Sequence, residues 1–234
     1  REYERISTAV VNSALMPSVS VYLTELSEKI AALGITSPLC VMQSNGGIAS
    51  KELIARHPVS MVESGPAAGV VASVYYGKLL GINNIVSFDM GGTTAKAGLV
   101  RGGVPEIVTE YEVAGKVHSG RVVKGSGYPV RFPFIDLAEA SAGGGTIAWV
   151  DEGAALRVGP LSAGADPGPA CYGKAEEPTV TDANLILGRL NPKHLLAGKM
   201  MIFEKLSRRS IEKKICSKTG LRLTKAAAGV IRIV

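Results

Sequence analysis

A predicted hairpin with a polar, glycine-rich tip constrains the fold of this chain more than any other stretch. Residues 85–100 read I-V-S-F-D-M-G-G-T-T-A-K-A-G-L-V, so two apolar runs flank an acid, two glycines and two threonines. Short apolar runs separated by glycines indicate two paired β-strands. The tip carries a carboxylate, two hydroxyls and an ammonium within eight residues, which is more chemistry than a chain reversal needs.

The elements before this hairpin alternate between helix and strand. Apolar residues recur at helical spacing within residues 5–33 and stop at Gly34, a natural helix C-cap. Residues 38–42 are predicted to form a short buried strand, closed by the turn residues Asn45 and Gly46. The chain is therefore predicted to be an α/β protein.

A helix of small residues directly precedes the hairpin. Residues 62–77 are predicted to be helical, with Ser64 as N-cap and Pro66 in the first turn. One face carries only small residues, which are Ala67, Ala68, Gly69 and Ala72. Small side chains let two backbones approach closely, so we expect this face to cross a neighbouring helix.

The rest of the chain is rich in glycine before it becomes helical again. Residues 106–113 are predicted to add a third strand, and residues 115–178 are irregular apart from the strand-like segments T-I-A-W-V-D and A-L-R-V-G-P. Helical periodicity returns at residues 181–190 and again from residue 204. The 28 glycines form short clusters without a repeat, which indicates tight turns rather than a linker.

Size and composition exclude several classes of protein. With 234 residues, 46% of them apolar, the chain can bury one large core or form two lobes around a cleft. Cys40, Cys171 and Cys216 form neither a C-x-x-C site nor an even disulfide framework. No apolar run of about 18 residues and no secretory signal pattern occur. We therefore expect a soluble, cytoplasmic protein without a membrane partner.

The net charge of +6 is concentrated at one end of the chain. Residues 189–234 contain 12 Lys and Arg against 2 acids, whereas residues 1–188 contain 14 against 18. The basic residues recur around a predicted helix that has Ile211 and Ile215 on one face, with no interleaved aromatic residues. This pattern favours a solvated helix face over a nucleic-acid site, so we expect no nucleic-acid partner.

Several common nucleotide, nucleophile and metal motifs are absent from the sequence. No Gly-Lys pair is followed by Ser or Thr, which excludes a Walker A loop. Residues 143–148 fit G-x-G-x-x-A, but a β-rich segment follows where a dinucleotide-binding motif requires a helix. No G-x-S-x-G occurs, and His57, His118 and His194 form no metal-binding pair.

The residues at the hairpin tip are suited to bind a phosphate and a metal ion. Glycines at a strand end let backbone N–H groups approach an anion and form a concavity for phosphate oxygens, to which Thr93 and Thr94 add hydroxyl donors. Asp89 can hold a hydrated magnesium ion or orient a water for attack on a phosphoryl group. The alternative is a structural hairpin in which Asp89 caps its own turn.

The order of these elements resembles a known junction. A small-residue helix at 63–77, followed by a strand, D-x-G-G-T and a second strand, is similar to the lobe junction of the actin, hexokinase and sugar-kinase superfamily. In that superfamily the helix connects the lobes and the hairpin is the second phosphate loop.

Six runs along the chain form a pattern: M-Q-S-N-G-G, E-S-G-P-A-A-G-V, F-D-M-G-G-T-T-A-K-A, S-A-G-G-G-T-I-A-W-V-D-E-G, V-G-P-L-S-A-G-A-D-P-G-P-A-C-Y-G and P-T-V-T-D-A-N-L-I-L-G-R-L. With these runs the chain resembles the hydantoinase A/oxoprolinase family over essentially its whole length. The family includes subunits of N-methylhydantoinases, oxoprolinases, and acetone and acetophenone carboxylases. Such proteins use ATP to phosphorylate an amide or carbonyl oxygen.

The resemblance implies a fold and a set of site residues. The fold is α/β, a part of an actin/hexokinase-like (ribonuclease H-like) two-lobed ATPase with a glycine-rich β insert. Asp89 is the implied catalytic residue and, through water, the Mg²⁺ ligand. The implied ATP-binding residues are Gly91, Gly92, Thr93 and Thr94 in the second phosphate loop, together with Gly143, Gly144 and Gly145.

Two other positions leave the identity of the substrate undecided. Lys96 stands where many family members carry Asp, and Asp136 stands where others carry His. Both departures resemble the carboxylase members. The resemblance assigns no role to Asp136, Asp166 or Asp182.

The resemblance further implies that the chain is the middle third of a subunit, because the family's first phosphate loop and its adenosine-side F-G-G-A-G-P segment do not occur. The predicted boundaries are 1–62 for the end of lobe one, 63–77 for the connecting helix, 78–114 for the start of lobe two with the second phosphate loop, 115–180 for the insert, and 181–234 for the helical part of lobe two.

The implied function is ATP-dependent hydrolysis of a small cyclic amide, with a hydantoinase B-type partner subunit or domain. The alternative within enzymes is the ATP-handling subunit of a carboxylase with a ketone substrate. A non-catalytic relative that keeps the lobes without the chemistry is the alternative of another class.

Overall fold

The chain forms a mixed α/β structure, in agreement with the predicted class. The computed structural model describes residues 2–115, 117–118, 121–122, 125–140, 142–193 and 198–234. His194 and the other residues between these ranges, which belong in part to the predicted segments 115–180 and 181–234, lie outside the described residues.

Two compact units share the chain. The first consists of Arg1–Asp89, Lys96–His118 and Val122–Ala138, and the second of Met90–Ala95, Ser119–Arg121 and Glu139–Val234. Within the predicted insert 115–180, residues 122–138 therefore group with the first unit and residues 139–180 with the second. The predicted boundaries, as domains of a longer protein, stay a prediction.

Three helices belong to the first unit: α1 (Glu2–Ala32), α2 (Lys51–Arg56) and α3 (Ser64–Leu80). The predicted first helix is confirmed, and Gly34 ends it with a φ of 81°. Leu23 of α1 packs with Ile54 of α2 in a buried cluster. In the described part of the chain, only α1 is long and apolar enough to cross a membrane, by length and composition, and only 11% of its most apolar window is buried. The expectation of no membrane partner stays a prediction.

Twelve short strands precede residue 141 among the described residues. They are β1 (Cys40–Met42), β2 (Ile48–Ser50), β3 (Ile85–Met90), β4 (Ala95–Arg101), β5 (Val104–Pro105), β6 (Ile107–Val108), β7 (Tyr111–Val113), β8 (Val117–His118), β9 (Arg121–Val122), β10 (Tyr128–Val130), β11 (Phe134–Ile135) and β12 (Leu137–Ala140). The largest sheet has the order β12-β4-β3, with β5 also paired to β4. The hairpin predicted at residues 85–100 is thus confirmed.

The single third strand predicted at residues 106–113 is wrong. The segment instead forms β6, which pairs antiparallel with β11, and β7, which pairs antiparallel with β10. The chain bends between them at residue 109, so the two halves reach different partners. Alternating apolar residues favour extended backbone but do not identify the strand with which it pairs.

Helix α3 packs on the sheet of the first unit. Its residues Ala67 and Val70 form a fully buried cluster with Val100 of β4 and Ile135 of β11. The predicted N-cap was wrong, because Ser64 is already helical and Glu63 occupies the cap position with a φ of 61° and no side-chain cap hydrogen bond. The helix also continues beyond Gly77 to Leu80.

The predicted close helix–helix crossing is replaced by close helix–strand contacts. An added Cβ at Gly69 would meet only Ser87 Oγ, at 3.9 Å, whereas one at Gly98 of β4 would lie 2.4 Å from Val70 Cγ2. Among the described residues, the close approach therefore depends on Gly98 of the strand and on Gly77 of the helix, where a Cβ would lie 2.5 Å from Ile85 Cδ1.

The second unit contains a hairpin and a group of helices. Its elements are β13 (Thr146–Val150), β14 (Leu156–Ser162), α4 (Val180–Ile186), α5 (Glu204–Ile211), a π-helical turn (Glu212–Cys216), α6 (Ser217–Thr219) and α7 (Leu223–Ile233). These confirm the two predicted strands and the return of helices. A buried cluster joins Ala148 of β13, Val180 of α4 and Val230 of α7.

The basic C-terminal stretch forms amphipathic helices, as predicted. Ile211 and Ile215 are fully buried. Lys213 pairs with Glu176 at 3.4 Å and Lys214 pairs with Glu177 at 2.6 Å. Acids of the same unit thus offset part of this charge, while the absence of a nucleic-acid partner stays a prediction.

Replacing Gly77 with Ala should destabilise the chain. The new Cβ would lie 2.5 Å from Ile85 Cδ1 and 2.6 Å from the Ile82 carbonyl oxygen, and overpacking of this kind costs about 1–3 kcal/mol. The matched variant Gly69→Ala adds the same methyl group to the same helix, where Ser87 Oγ is the nearest neighbour. It should be neutral or stabilising by up to about 1 kcal/mol through helix propensity. Thermal unfolding followed by circular dichroism measures both; equal melting temperatures would contradict this packing.

Candidate functional site

The loop between β3 and β4 is exposed at its tip. Residues Gly91, Gly92 and Thr93 are exposed, and Thr94 is half-buried. The Gly91 N–H donates to the Thr94 carbonyl oxygen at 2.9 Å, which closes the loop. The predicted phosphate loop is thus a tight turn whose backbone is accessible to a ligand.

Asp89 is the next-to-last residue of β3, two positions before Gly91, and is exposed. In the part of the chain that the structure describes, its carboxylate accepts no hydrogen bond and forms no ion pair. The alternative of a hairpin that Asp89 caps by its own side chain therefore has no support in this geometry. The unpaired carboxylate of Asp89 is chemically suited to hold hydrated Mg²⁺. The exposed backbone N–H groups of the 91–94 loop are suited to bind a phosphate.

Three glycines of the second unit contact the loop backbone. The Gly144 N–H donates to the Gly91 carbonyl oxygen at 2.9 Å, and the Gly145 N–H donates to the Gly92 carbonyl oxygen at 2.6 Å. The Gly143 N–H donates to Thr146 Oγ1 at 2.8 Å. The ATP contacts predicted for these glycines stay a prediction, but their N–H groups are already engaged by protein acceptors.

Thr181 fixes the same glycine segment from its other side. Its backbone N–H and its Oγ1 both donate to the Gly144 carbonyl oxygen, at 2.8 and 2.9 Å. Ala163 directly follows β14, and its backbone N–H donates to the Gly145 carbonyl oxygen at 2.8 Å. Thr181 lies in the family-like run P-T-V-T-D, but the sequence assigned it no role, because its partner Gly144 is 37 residues away along the chain.

Asp182 has a structural role that the sequence left open. Its side chain is fully buried and accepts five hydrogen bonds, from the N–H groups of Ala170 (3.1 Å), Cys171 (2.8 Å) and Thr179 (2.9 Å) and the hydroxyls of Thr179 (2.8 Å) and Ser207 (2.6 Å). Asp182 and Thr179 also form a capping box at the start of α4. These bonds occupy the lone pairs of both oxygens, so the carboxylate joins α4, α5 and the segment at 170–171 instead of facing a ligand.

The other two open aspartates are on the surface. Asp136 is exposed, and its backbone N–H donates to the Glu106 carbonyl oxygen at 2.8 Å. Asp166 forms an exposed ion pair with Lys174 at 2.9 Å. Neither side chain makes a hydrogen bond to the 91–94 loop within the described ranges.

Lys96 forms an ion pair with Glu63 within the first unit, and the two side chains are only 13% and 22% exposed. The pair joins β4 to the residue that precedes α3. Because Glu63 has a left-handed backbone at this point, the ion pair helps to fix the start of the helix. Lys96, which stands where many family members carry Asp, therefore has a structural role through this ion pair.

No group of three His, Cys, Asp or Glu side chains that could hold a metal occurs among the described residues. His57 lies at the end of α2. A metal at this site would therefore be held by Asp89 together with ligand oxygens, as is common for Mg²⁺.

Comparisons with known proteins match the whole chain. The family model described as hydantoinase/oxoprolinase matches residues 5–234. An uncharacterized protein of Methanocaldococcus jannaschii is 54% identical over 100% of this chain, which covers 34% of that protein. The caprolactamase subunit alpha of Pseudomonas jessenii is 37% identical over 100% of this chain, which covers 32% of that subunit.

Two solved structures are also similar. A nucleotide-free acetone carboxylase, from a study of ATP-dependent acetone carboxylation, superimposes with a TM-score of 0.76 at 28% identity, covering 100% of this chain and 31% of that one. The ATP-dependent caprolactamase of Pseudomonas jessenii superimposes with a TM-score of 0.68 at 36% identity, covering 100% and 32%. The chain thus spans about a third of the length of these relatives.

Thiol labelling should separate the cysteines by burial. Burial and the nearby Asp182 charge raise the pKa of the fully buried Cys171 to about 12, whereas Cys40 is exposed. At pH 8 a thiol with a pKa of about 12 is only about one part in ten thousand thiolate. Iodoacetamide should therefore modify Cys40 well before Cys171, and denaturant should abolish the difference. Equal native rates in peptide mass spectrometry would contradict the burial of Cys171.

Replacing Asp182 with Asn should destabilise the second unit. An amide keeps one acceptor oxygen but places N–H donors against N–H and O–H donors, and the loss should reach about 3 kcal/mol or more. The control Asp166→Asn removes a carboxylate from an exposed ion pair, for which about 0–1 kcal/mol is expected. Chemical denaturation compares the two; a similar small effect of both would overturn the structural role of Asp182.

Proposed function

Because the chain belongs to the hydantoinase/oxoprolinase family, we propose that it is the central part of a subunit that uses ATP to hydrolyse a cyclic amide. The observation that carries this proposal is the exposed turn of the loop Gly91–Thr94, which begins two residues after Asp89. The similarity to the Pseudomonas jessenii caprolactamase supports the same class of reaction.

The proposed fold of the full subunit is an actin/hexokinase-like, two-lobed ATPase. In this arrangement α3 is the connecting helix and the β3–β4 loop is the second phosphate loop. The packing of α3 on a sheet that contains β3 and β4 supports the proposal.

Each loop residue has a proposed part in the reaction. Backbone N–H groups of Gly92 and Thr93, with the hydroxyls of Thr93 and Thr94, bind the phosphate oxygens. Asp89 holds Mg²⁺ through water and orients the attacking group. ATP, when bound, would supply the phosphoryl group that makes the carbonyl carbon of the amide more susceptible to attack by water, so that the C–N bond breaks.

The cellular setting of the reaction is also a proposal. We assign the protein to the cytoplasm, with a partner of the hydantoinase B type. The name of the related caprolactamase subunit alpha supports a reaction that needs more than one subunit.

A second candidate function is ATP-dependent carboxylation of a ketone. The similarity to acetone carboxylase, with a TM-score of 0.76, favours it, as do Lys96 and Asp136 at positions where they resemble carboxylase members. A non-catalytic role has less support, because Asp89 and the loop glycines are present. Assays of the full subunit and its partner with ATP, on a hydantoin or lactam and separately on acetone with bicarbonate, distinguish the two reactions.

Replacing Asp89 with Asn in the full-length subunit should lower steady-state ATP hydrolysis by about a hundredfold or more, the usual scale for a positioned acid–base group. The near-isosteric amide should preserve the fold, which circular dichroism monitors. The control Glu152→Gln makes the same change at an exposed turn residue and should leave the rate unchanged. Equal rates of ATP hydrolysis for wild type and Asp89→Asn would indicate that the loop is only a structural turn.

The chain by itself should bind ATP no better than about millimolar and show no turnover. It supplies one phosphate loop, and each missing set of hydrogen bonds to a charged phosphate is worth about 1.5–3 kcal/mol. Isothermal titration of the chain with MgATP measures this affinity; micromolar binding would show that the chain holds more of the nucleotide site than its loop.

A further inference from the structure

We infer that Gly143, Gly145 and Thr181 are positioning residues that aim the backbone N–H groups of Gly92 and Thr93 at the phosphates of ATP. None of the three needs to touch the nucleotide in this assignment. The inference rests on the proposed function, because it takes the 91–94 loop as a phosphate site. It differs from the predicted role of the glycine segment, which was direct contact with ATP.

The orientation of the loop follows from the geometry of the peptide bond. The carbonyl oxygens of Gly91 and Gly92 accept hydrogen bonds from the glycine segment at 143–145. Both peptide bonds that follow these carbonyls are trans, since the cis bonds of the described chain lie at Gly159-Pro160 and Asp166-Pro167. In a trans peptide, C=O and N–H point in opposite directions. The N–H groups of Gly92 and Thr93 therefore point away from the glycine segment.

These two N–H groups lie on the exposed side of the loop. Gly92 and Thr93 are both exposed, and within the described chain neither N–H donates a hydrogen bond to a protein acceptor. Two successive N–H groups that point to one side form a concavity of the kind that binds anions. The glycine segment thus fixes the carbonyls on one side of the loop and leaves the donors available on the other.

Positions 143 and 145 require glycine because the backbone of this segment lies directly against the backbone of the loop. A Cβ at Gly143 would lie 2.5 Å from the Thr93 carbonyl carbon and 2.6 Å from the Thr93 nitrogen. A Cβ at Gly145 would lie 2.9 Å from the Gly92 carbonyl oxygen. Backbone atoms cannot rotate away as a side chain can, so an alanine at either position must displace the loop.

Thr181 ties this arrangement to the rigid part of the second unit. It holds the Gly144 carbonyl oxygen through two hydrogen bonds. The next residue, Asp182, is buried and accepts five hydrogen bonds. A continuous series of bonds therefore runs from the first turn of α4 through Gly144 to the loop.

The test uses the full-length subunit with Gly143→Ala. Isothermal titration should show an affinity for MgATP that is about tenfold lower or more, the fold-change expected for a misplaced hydrogen-bonding group, with adenosine affinity within about twofold of wild type. Hydrogen exchange of the peptide that contains residues 90–95 supplies an independent readout. MgATP should slow exchange there in wild type and not in Gly143→Ala.

Two further variants separate positioning from general damage. Gly153→Ala adds a methyl group at a turn glycine whose nearest neighbour, Asp151 Oδ1, is at 3.4 Å, and both affinities should match wild type. Thr181→Val keeps the N–H bond to Gly144 and removes the hydroxyl bond. It should weaken MgATP binding about threefold, and it provides the test if Gly143→Ala does not fold.

The outcomes distinguish this inference from the proposed function. Wild-type MgATP affinity and loop protection in Gly143→Ala, or in Thr181→Val where that variant provides the test, would overturn the positioning role. Equal losses for MgATP and adenosine would also overturn it, because they indicate general damage to the site. If MgATP binds wild type without slowing exchange at residues 90–95, the proposed phosphate loop itself fails.

Discussion

The candidate site depends on a contact between two stretches of backbone without side chains between them. The segment at 143–145 donates N–H groups to the carbonyl oxygens of Gly91 and Gly92, and a Cβ at Gly143 would collide with the backbone of Thr93. Ordinary strand pairing tolerates side chains, because they point away from the plane of the hydrogen bonds. Here the loop crosses so closely that only glycine fits, and the orientation of its peptide groups follows from that contact.

Buried polar groups hold the elements that carry this contact. Asp182 lies in the first turn of α4 and bonds to the segment at 170–171 and to Ser207 of α5. A buried carboxylate is costly unless its hydrogen bonds are satisfied, and five donors satisfy this one. The same environment raises the pKa of the Cys171 thiol to about 12, so this cysteine behaves as a packed apolar residue. The buried polar network therefore gives rigidity to the unit, while the loop at 91–94 stays exposed at its tip.

The glycines of the chain have different structural roles, and only some of them lie at the candidate site. Gly34 and Gly81 end helices with positive φ angles. Gly77 and Gly98 allow α3 to approach the following strands. Composition alone cannot separate these uses, because each depends on the atoms that face the missing Cβ.

The sequence by itself determined the α/β class, the helix at the N-terminus, the β3–β4 hairpin with its polar tip, and the family to which the motifs point. Those features arise from local periodicity, turn chemistry and motif spacing, which adjacent residues encode. Only the tertiary structure decided that Gly144 and Gly145 direct their N–H groups at the loop backbone, and that Asp182 is buried and Asp89 exposed. It also decided that Gly77 and Gly98, rather than Gly69, permit the close approach between α3 and the strands. The physical reason is that each of these roles is set by partners far apart along the chain, and a pattern of single residues does not specify which distant backbone will lie against it.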